Sequence, residues 1–262
     1  MSPRTTPGTK TQHRGSEVVA PAESAAAADM TQRVGCLDWA QITATLGSHG
    51  AAATGSLLTP RECAGIRDLF GAEATFRSHI VMARHGFGRG EYKYFQNPLP
   101  DIVQQLRTAL YPHLAPIANA WAASLDQPAD YPAALSDYLA HCHAAGQIRP
   151  TPLLLKYGPG DYNCLHQDLY GANVFPLQVA ILLSAPQAEF AGGEFVVVEQ
   201  RPRMQSRAEV ISLAQGEAVV FAVRHRPVQG TKGIYRVTLR HGVSRIRSGA
   251  RFTLGVIFHD GQ

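Results

Sequence analysis

LLLKYGPGDYNCLHQD, residues 153–168, carries the pair on which the reading turns, His166 and Asp168. On a strand, residues i and i+2 share a face, so an imidazole and a carboxylate at this spacing converge on one ion. Two ligands do not complete a site. A third comes from RHGVSRIRSGARFTLGVIF, residues 240–258, where His241 lies 73 residues beyond Asp168 and ten before Arg251. Two histidines and a carboxylate leave part of the coordination sphere open, a set that suits a ferrous ion. His225, with Arg236 eleven residues beyond it, is a rival for the third position.

Outward from this stretch, the chain after Pro150 breaks into short β-rich runs separated by Gly and Pro. TPLLLKY, FPLQVAILLS, GGEFVVVEQ, AEVISLAQ, EAVVFAV, YRVTLRHG and RFTLGVIFH predict seven strands. Many short strands after a block of helices predict an α+β chain with a double-stranded β-helix, or jelly roll, and N-terminal helices packed on it. The mouth of such a barrel is a natural pocket.

Three regions follow from composition. Residues 1–35 are rich in Ser, Thr, Pro and Ala with little to bury, and read as a disordered tail without a secretory signal. The composition break at Met30 suggests a start there. Residues 36–149 read as a helical region with a lid-like β-hairpin, and residues 150–262 as the jelly-roll core. In the helical region a short helix is expected from Asp38-Trp39 to about Leu46. A second starts at Thr59 and Glu62, a capping box with Pro60 at the first helical position. Phe76–Met82 and Tyr92–Phe95 alternate as two strands joined by a glycine-rich turn. That hairpin carries Arg84, His85, Arg89, Tyr92, Lys93 and Tyr94, placed to cover a site and to stack a base, or to pack on the core. Pro112 and Pro116 predict two helical pieces within residues 100–125. His141 and His143 stand two apart on the next helix, so they face different directions and are poor partners for one ion.

Apolar residues make up 45% of the 262, charged residues 17%, and no apolar run approaches the roughly 20 needed for a membrane span. Cys36, Cys63, Cys142 and Cys164 form no C-x-x-C pair, which predicts a reducing, cytoplasmic setting. The net charge is +4, but from Arg201 to Arg251 there are ten Arg and Lys232 against Glu209 and Glu217 alone. Such a bias fits either a polyanionic partner or a solvated basic surface.

Taken together, His166-x-Asp168, His241 and Arg251 resemble the Fe(II)- and 2-oxoglutarate-dependent dioxygenases. FAGGEF at 190–195 and GEAVVF at 216–221 are similar to connecting strands of the prolyl-hydroxylase-like branch, as is the ten-residue spacing from His241 to Arg251. YGPGDYNCLHQD resembles the corresponding segment of AlkB-type nucleic-acid dealkylases. Over residues 38–260, including FRSHIVMARHGFGRGEYKYF and CHAAGQIRPTPLLLKY, the chain resembles a bacterial AlkB-like oxygenase family assigned to oxidative demethylation of damaged DNA.

The resemblance implies that His166, Asp168 and His241 hold Fe(II), which takes 2-oxoglutarate and O2. It implies that Arg251 pairs with the distal carboxylate of 2-oxoglutarate, with Tyr157 donating to the same molecule. Arg236, Arg245 and Arg247 are alternative anchors, and Arg84, Tyr92 and Tyr94 are the candidates for substrate contact. The implied partner is alkylated DNA or RNA. Alternatives are hydroxylation of a protein side chain or small metabolite, and a non-catalytic metal- and nucleic-acid-binding protein.

Overall fold

LQVAIL, residues 177–182, is buried at every position, as a strand must be when both faces of its sheet are covered. The computed structural model that shows this describes Met1 and residues 29–128, 130–169, 171–201 and 203–262. Most of the tail expected over residues 1–35 lies outside the described residues. Its last six do not: Met30–Gly35 form helix α1, with Met30 and Val34 buried in the core. The composition there looked unfoldable because a helix this short is fixed by its packing, not its propensity.

The helical region continues with α2 (Trp39–His49), strand β1 (Ala51–Ser56) and α3 (Pro60–Asp68). Asp38 caps α2 by accepting from the Gln41 N–H, and the expected capping box of α3 is present in both directions between Thr59 and Glu62. Strands β2 (Phe76–Val81), β3 (Gly88–Arg89) and β4 (Glu91–Phe95) precede α4 (Asp101–Ser124) and α5 (Leu135–Ala144). α4 corrects the expected two pieces: it is one helix of 24 residues containing Pro112 and Pro116. Both prolines, and Thr108 four residues before the first, are exposed, so the carbonyls they free face water. The opposite face, including Leu110, Tyr111, Leu114 and Ala118, is fully buried and holds the helix straight through.

Then come β5 (Leu153–Tyr157), β6 (Tyr162–His166), β7 (Leu177–Leu182), β8 (Phe190–Gly192), β9 (Phe195–Gln200) and β10 (Arg207–Ile211). The last five are β11 (Glu217–Ala222), β12 (His225–Gly230), β13 (Gly233–Val243), β14 (Ile246–Gly249) and β15 (Arg251–Val256). All seven strands expected after Pro150 are among them. One sheet runs β1-β11-β7-β15-β5-β4-β2, and a second runs β10-β9-β13-β6-β3 with β12 also on β13. Neighbouring strands in both are antiparallel. The two sheets form the α+β jelly roll, with the helices on the outer face of the larger sheet.

Buried Arg107 ties α4 to that face. Its Nε donates to the Ile257 carbonyl (2.9 Å), and its Nη2 to the Phe258 carbonyl (3.0 Å) and Asp260 (2.7 Å). Around it Tyr111, Tyr138, Phe175 and Phe258 pack ring against ring. The inner faces of the two sheets are left to enclose a cavity.

Candidate metal centre and its cavity

His166 ends β6, and the antiparallel register sets it directly opposite His241 of β13. Asp168 lies beyond the end of β6, in the segment that leaves the sheet. The convergence expected from a two-residue strand spacing is therefore made differently, by the chain turning in after His166. His166 Nε2 is 3.3 Å from Asp168 Oδ1, and His241 Nε2 is 3.4 Å from Oδ2. One ligand atom from each of the three lies within 4.8 Å of the others. His225 stands opposite Thr238, outside this group.

The local electrostatics suit a cation. Burial opposes the charge on Asp168, but its contacts with His166 and His241 outweigh this and hold it well below the usual carboxylate range. Burial also opposes protonation of His166, yet the Asp168 contact leaves it raised; His241, buried between Phe195 and Phe221, is lowered. His166 Nδ1 lies 2.8 Å from the Cys164 carbonyl. Donating there fixes the tautomer that turns the Nε2 lone pair toward Asp168 and His241.

Arg251 opens β15 and is the register partner of Tyr157 in β5. It is buried, its Nη1 donates to Thr253 Oγ1 at 2.5 Å, and its guanidinium lies 5.8 Å from the centre of the Tyr157 ring. Burial pushes Arg251 down to about 10. Its Nε and the Tyr157 hydroxyl are both buried without a hydrogen-bond partner. Gly193 in FAGGEF explains part of this space: at φ +69° it has no Cβ, and one would lie 2.9 Å from Arg251 Cδ. The rival anchors Arg236, Arg245 and Arg247 are exposed and do not line the cavity.

The triad, Arg251 and Tyr157 line one cavity of about 360 Å³, walled otherwise by mostly apolar groups. Tyr92 and Tyr94 line it too, with ring centroids 5.4 Å apart and edge to face. They do so as a wall: β4 is embedded in the larger sheet between β2 and β5. The part that reaches over is the turn from Met82 to Gly90, whose β3 pairs with β6 in the other sheet and places Phe87 at the cavity edge. Arg84 sits on that turn, exposed and away from the lining. His143 lies outside the triad, its Nε2 2.8 Å from Asp260 Oδ2. The basic run is partly internal, since Arg201, Arg207 and Arg226 all meet the buried Glu199.

Sequence reasoning missed Gln178, Phe195 and Phe221, which line the cavity near the histidines. A signal for Gln178 was present, as the lone polar residue within the apolar run LQVAIL. Among the described residues no helix is long and apolar enough to cross a membrane, and all four cysteines are free thiols.

A family model, Oxygenase-NA, described as "Oxygenase, catalysing oxidative methylation of damaged DNA", matches residues 90–261. Two uncharacterized proteins, from two strains of Mycobacterium tuberculosis, are each 54% identical over 166 residues, 63% of this chain and 71% of theirs. Among solved structures, an oxidoreductase of the 2OG-Fe(II) oxygenase family from Burkholderia pseudomallei matches with a TM-score of 0.53 at 17% identity, covering 85% of this chain and 92% of that one. At that identity the likeness speaks for the fold.

Proposed function

The chain belongs to the Oxygenase-NA family, and on that premise we propose that it is an Fe(II)- and 2-oxoglutarate-dependent dioxygenase that oxidatively dealkylates damaged nucleic acid. One observation carries the reading. A two-histidine, one-carboxylate cluster shares a cavity with a buried guanidinium whose Nε has no acceptor and with a buried tyrosine hydroxyl that has no partner. A dicarboxylate that chelates a metal at one end fits both features.

In this reading His166, Asp168 and His241 hold Fe(II) on one side and leave the cavity side open. Arg251 takes the distal carboxylate of 2-oxoglutarate, with Tyr157 donating its hydroxyl, because a planar guanidinium matches a carboxylate with two parallel bonds. With Fe(II), 2-oxoglutarate and O2 bound, the site would couple formation of succinate and CO2 to insertion of one oxygen atom into a substrate C–H bond. The apolar walls, Tyr92, Tyr94 and Val243 among them, exclude water and can stack a flat ring. Hydroxylation of an N-alkyl carbon gives a hemiaminal, which releases aldehyde and restores the base. The family description and the Arg-rich segment from Arg201 to Arg251 support a nucleic-acid substrate.

Anaerobic titration with Fe(II) and 2-oxoglutarate, followed by oxygen and methylated single-stranded DNA, tests the reading. A metal-to-ligand absorption band, then succinate with matching formaldehyde, is the expected result. No band would overturn the cofactor assignment. Succinate without formaldehyde would move the substrate to a second reading, hydroxylation of a protein side chain or small metabolite. That reading draws on FAGGEF and on the ten-residue spacing from His241 to Arg251.

A further inference from the structure

Four cavity-lining residues carry a side-chain atom that is buried without a hydrogen-bond partner among the described residues: Tyr157 Oη, Arg251 Nε, His241 Nδ1 and Gln178 Nε2. The first three belong to residues already given a task. Gln178 does not. It is 3% exposed and is the one polar side chain in β7. A buried amide donor with no acceptor is unfavourable relative to an apolar residue of similar shape, so its place in a wall needs a reason.

The register shows which part of the cavity it serves. Gln178 is the partner of Phe221, whose ring lies 4.5 Å from that of His241. Farther along the same inward row, Ala180 is the partner of Gly255 and Leu182 of Thr253, with Arg251 beyond. Arg251 and Gln178 therefore mark opposite ends of this row. Ala180 and Gly255 between them leave its middle low. Arg251 is the cation for the co-substrate end. Gln178 stands at the other end, where its partner Phe221 packs on His241, so a base brought to the triad would meet it.

We propose that Gln178 is a specificity-determining residue whose Nε2–H donates to a carbonyl oxygen of the base being oxidised, next to its alkylated ring nitrogen. This rests on the nucleobase reading above. A thymine alkylated at N3 has carbonyls on both sides of the alkylated nitrogen. An adenine alkylated at N1 has a C–H on one side and an exocyclic nitrogen on the other. A site built around a buried donor discriminates strongly against a ligand that leaves the donor unpaired. The wild-type site thus favours the alkylated pyrimidine.

The test uses the full chain loaded with Fe(II) and 2-oxoglutarate, and single-stranded oligonucleotides carrying one N3-methylthymine or one N1-methyladenine. The wild type, Gln178→Met and Gln178→Glu are compared by formaldehyde release. The expected ratio of kcat/KM, thymine over adenine, exceeds one in the wild type and falls by about tenfold or more in Gln178→Met. It falls further in Gln178→Glu, because a carboxylate accepts but does not donate. The 2-oxoglutarate affinity, read anaerobically from the absorption band, stays within about twofold in Gln178→Met. An equal loss on both oligonucleotides, or an unchanged ratio, overturns the inference and leaves the dealkylase reading standing. A weakened band with unchanged ratio assigns Gln178 to the co-substrate instead and also overturns it. Absence of formaldehyde from both oligonucleotides with the wild type, with succinate still formed, removes the nucleobase reading and this inference with it.

Discussion

Two buried polar clusters lie against the larger sheet, and each contains an arginine and an aspartate. Beyond the end of β15, Arg107 meets Asp260 and two carbonyls, Asp260 also meets His143, and Gln147 bonds to Asn173 and the Asp260 carbonyl. In the cavity, Arg251 and Tyr157 have atoms with no partner, and Asp168 draws two imidazoles into a space open on one side. The first cluster is closed upon protein and fixes α4 and α5 to the sheet. The second leaves polar atoms free for the metal and co-substrate proposed above. Residue types alone do not tell the two arginines apart; hydrogen-bond satisfaction does, since Arg107 Nε has an acceptor and Arg251 Nε has none.

The contrast breaks most plainly at its two aspartate centres. Asp168→Ala is expected to abolish Fe(II) binding in an equilibrium titration and to lower succinate formation by more than the roughly 100-fold that loss of an outer-shell partner costs. Its unfolding transition should remain cooperative. Arg107→Ala should do the reverse. Leaving Asp260 buried without its cation is expected to lower unfolding free energy by about 3–5 kcal/mol in urea, with little change in 2-oxoglutarate affinity for the folded fraction. If Arg107→Ala proved neutral in stability, the division between architecture and site would fail.

A smaller effect sharpens the same point. Arg251→Lys keeps a charge but loses the planar fork, and is expected to weaken 2-oxoglutarate binding by about tenfold or more, read from the absorption band. Arg251→Met should unfold at the same or higher denaturant concentration, since no protein carboxylate is left unpaired. The smallest effect concerns an ion pair near the surface. Bonds from Arg33 lower Glu62 to about 2 against an ordinary value of 4.5, with burial opposing. Stability from this depressed carboxylate is fully present above its ordinary value and is lost as pH falls toward about 2. Glu62→Gln is thus expected to destabilise by about 1 kcal/mol near neutrality, with the gap from wild type closing as thermal melts are taken to lower pH.

Much of this was legible in residue order. The seven strands after Pro150 announced themselves through β-branched and apolar runs, and His166 and Asp168 through chemistry and spacing, while His241 over His225 and Arg251 as anchor came from the family resemblance. β1, AAATGS, did not, because its pairing with β11 decides its state more than its side chains do. α4 was misread at two prolines whose exposure only the packed structure reveals. The basic run from Arg201 suggested a free surface, and only the fold brings three of its arginines to Glu199. Gln178 was passed over in sequence, and its empty donor became visible once the wall was built.

The pairing of His166 with His241 across β6 and β13 has a consequence for how the chain finds its fold. Side chains alternate between faces, so a slip of one residue would put Arg240 or Gly242 where His241 belongs and break the triad. Ferrous ion would then act as a proofreader of strand alignment. It would bind the correctly aligned barrel and withhold its stabilisation from misaligned ones, so the same ion that equips the site would also select the molecules fit to use it.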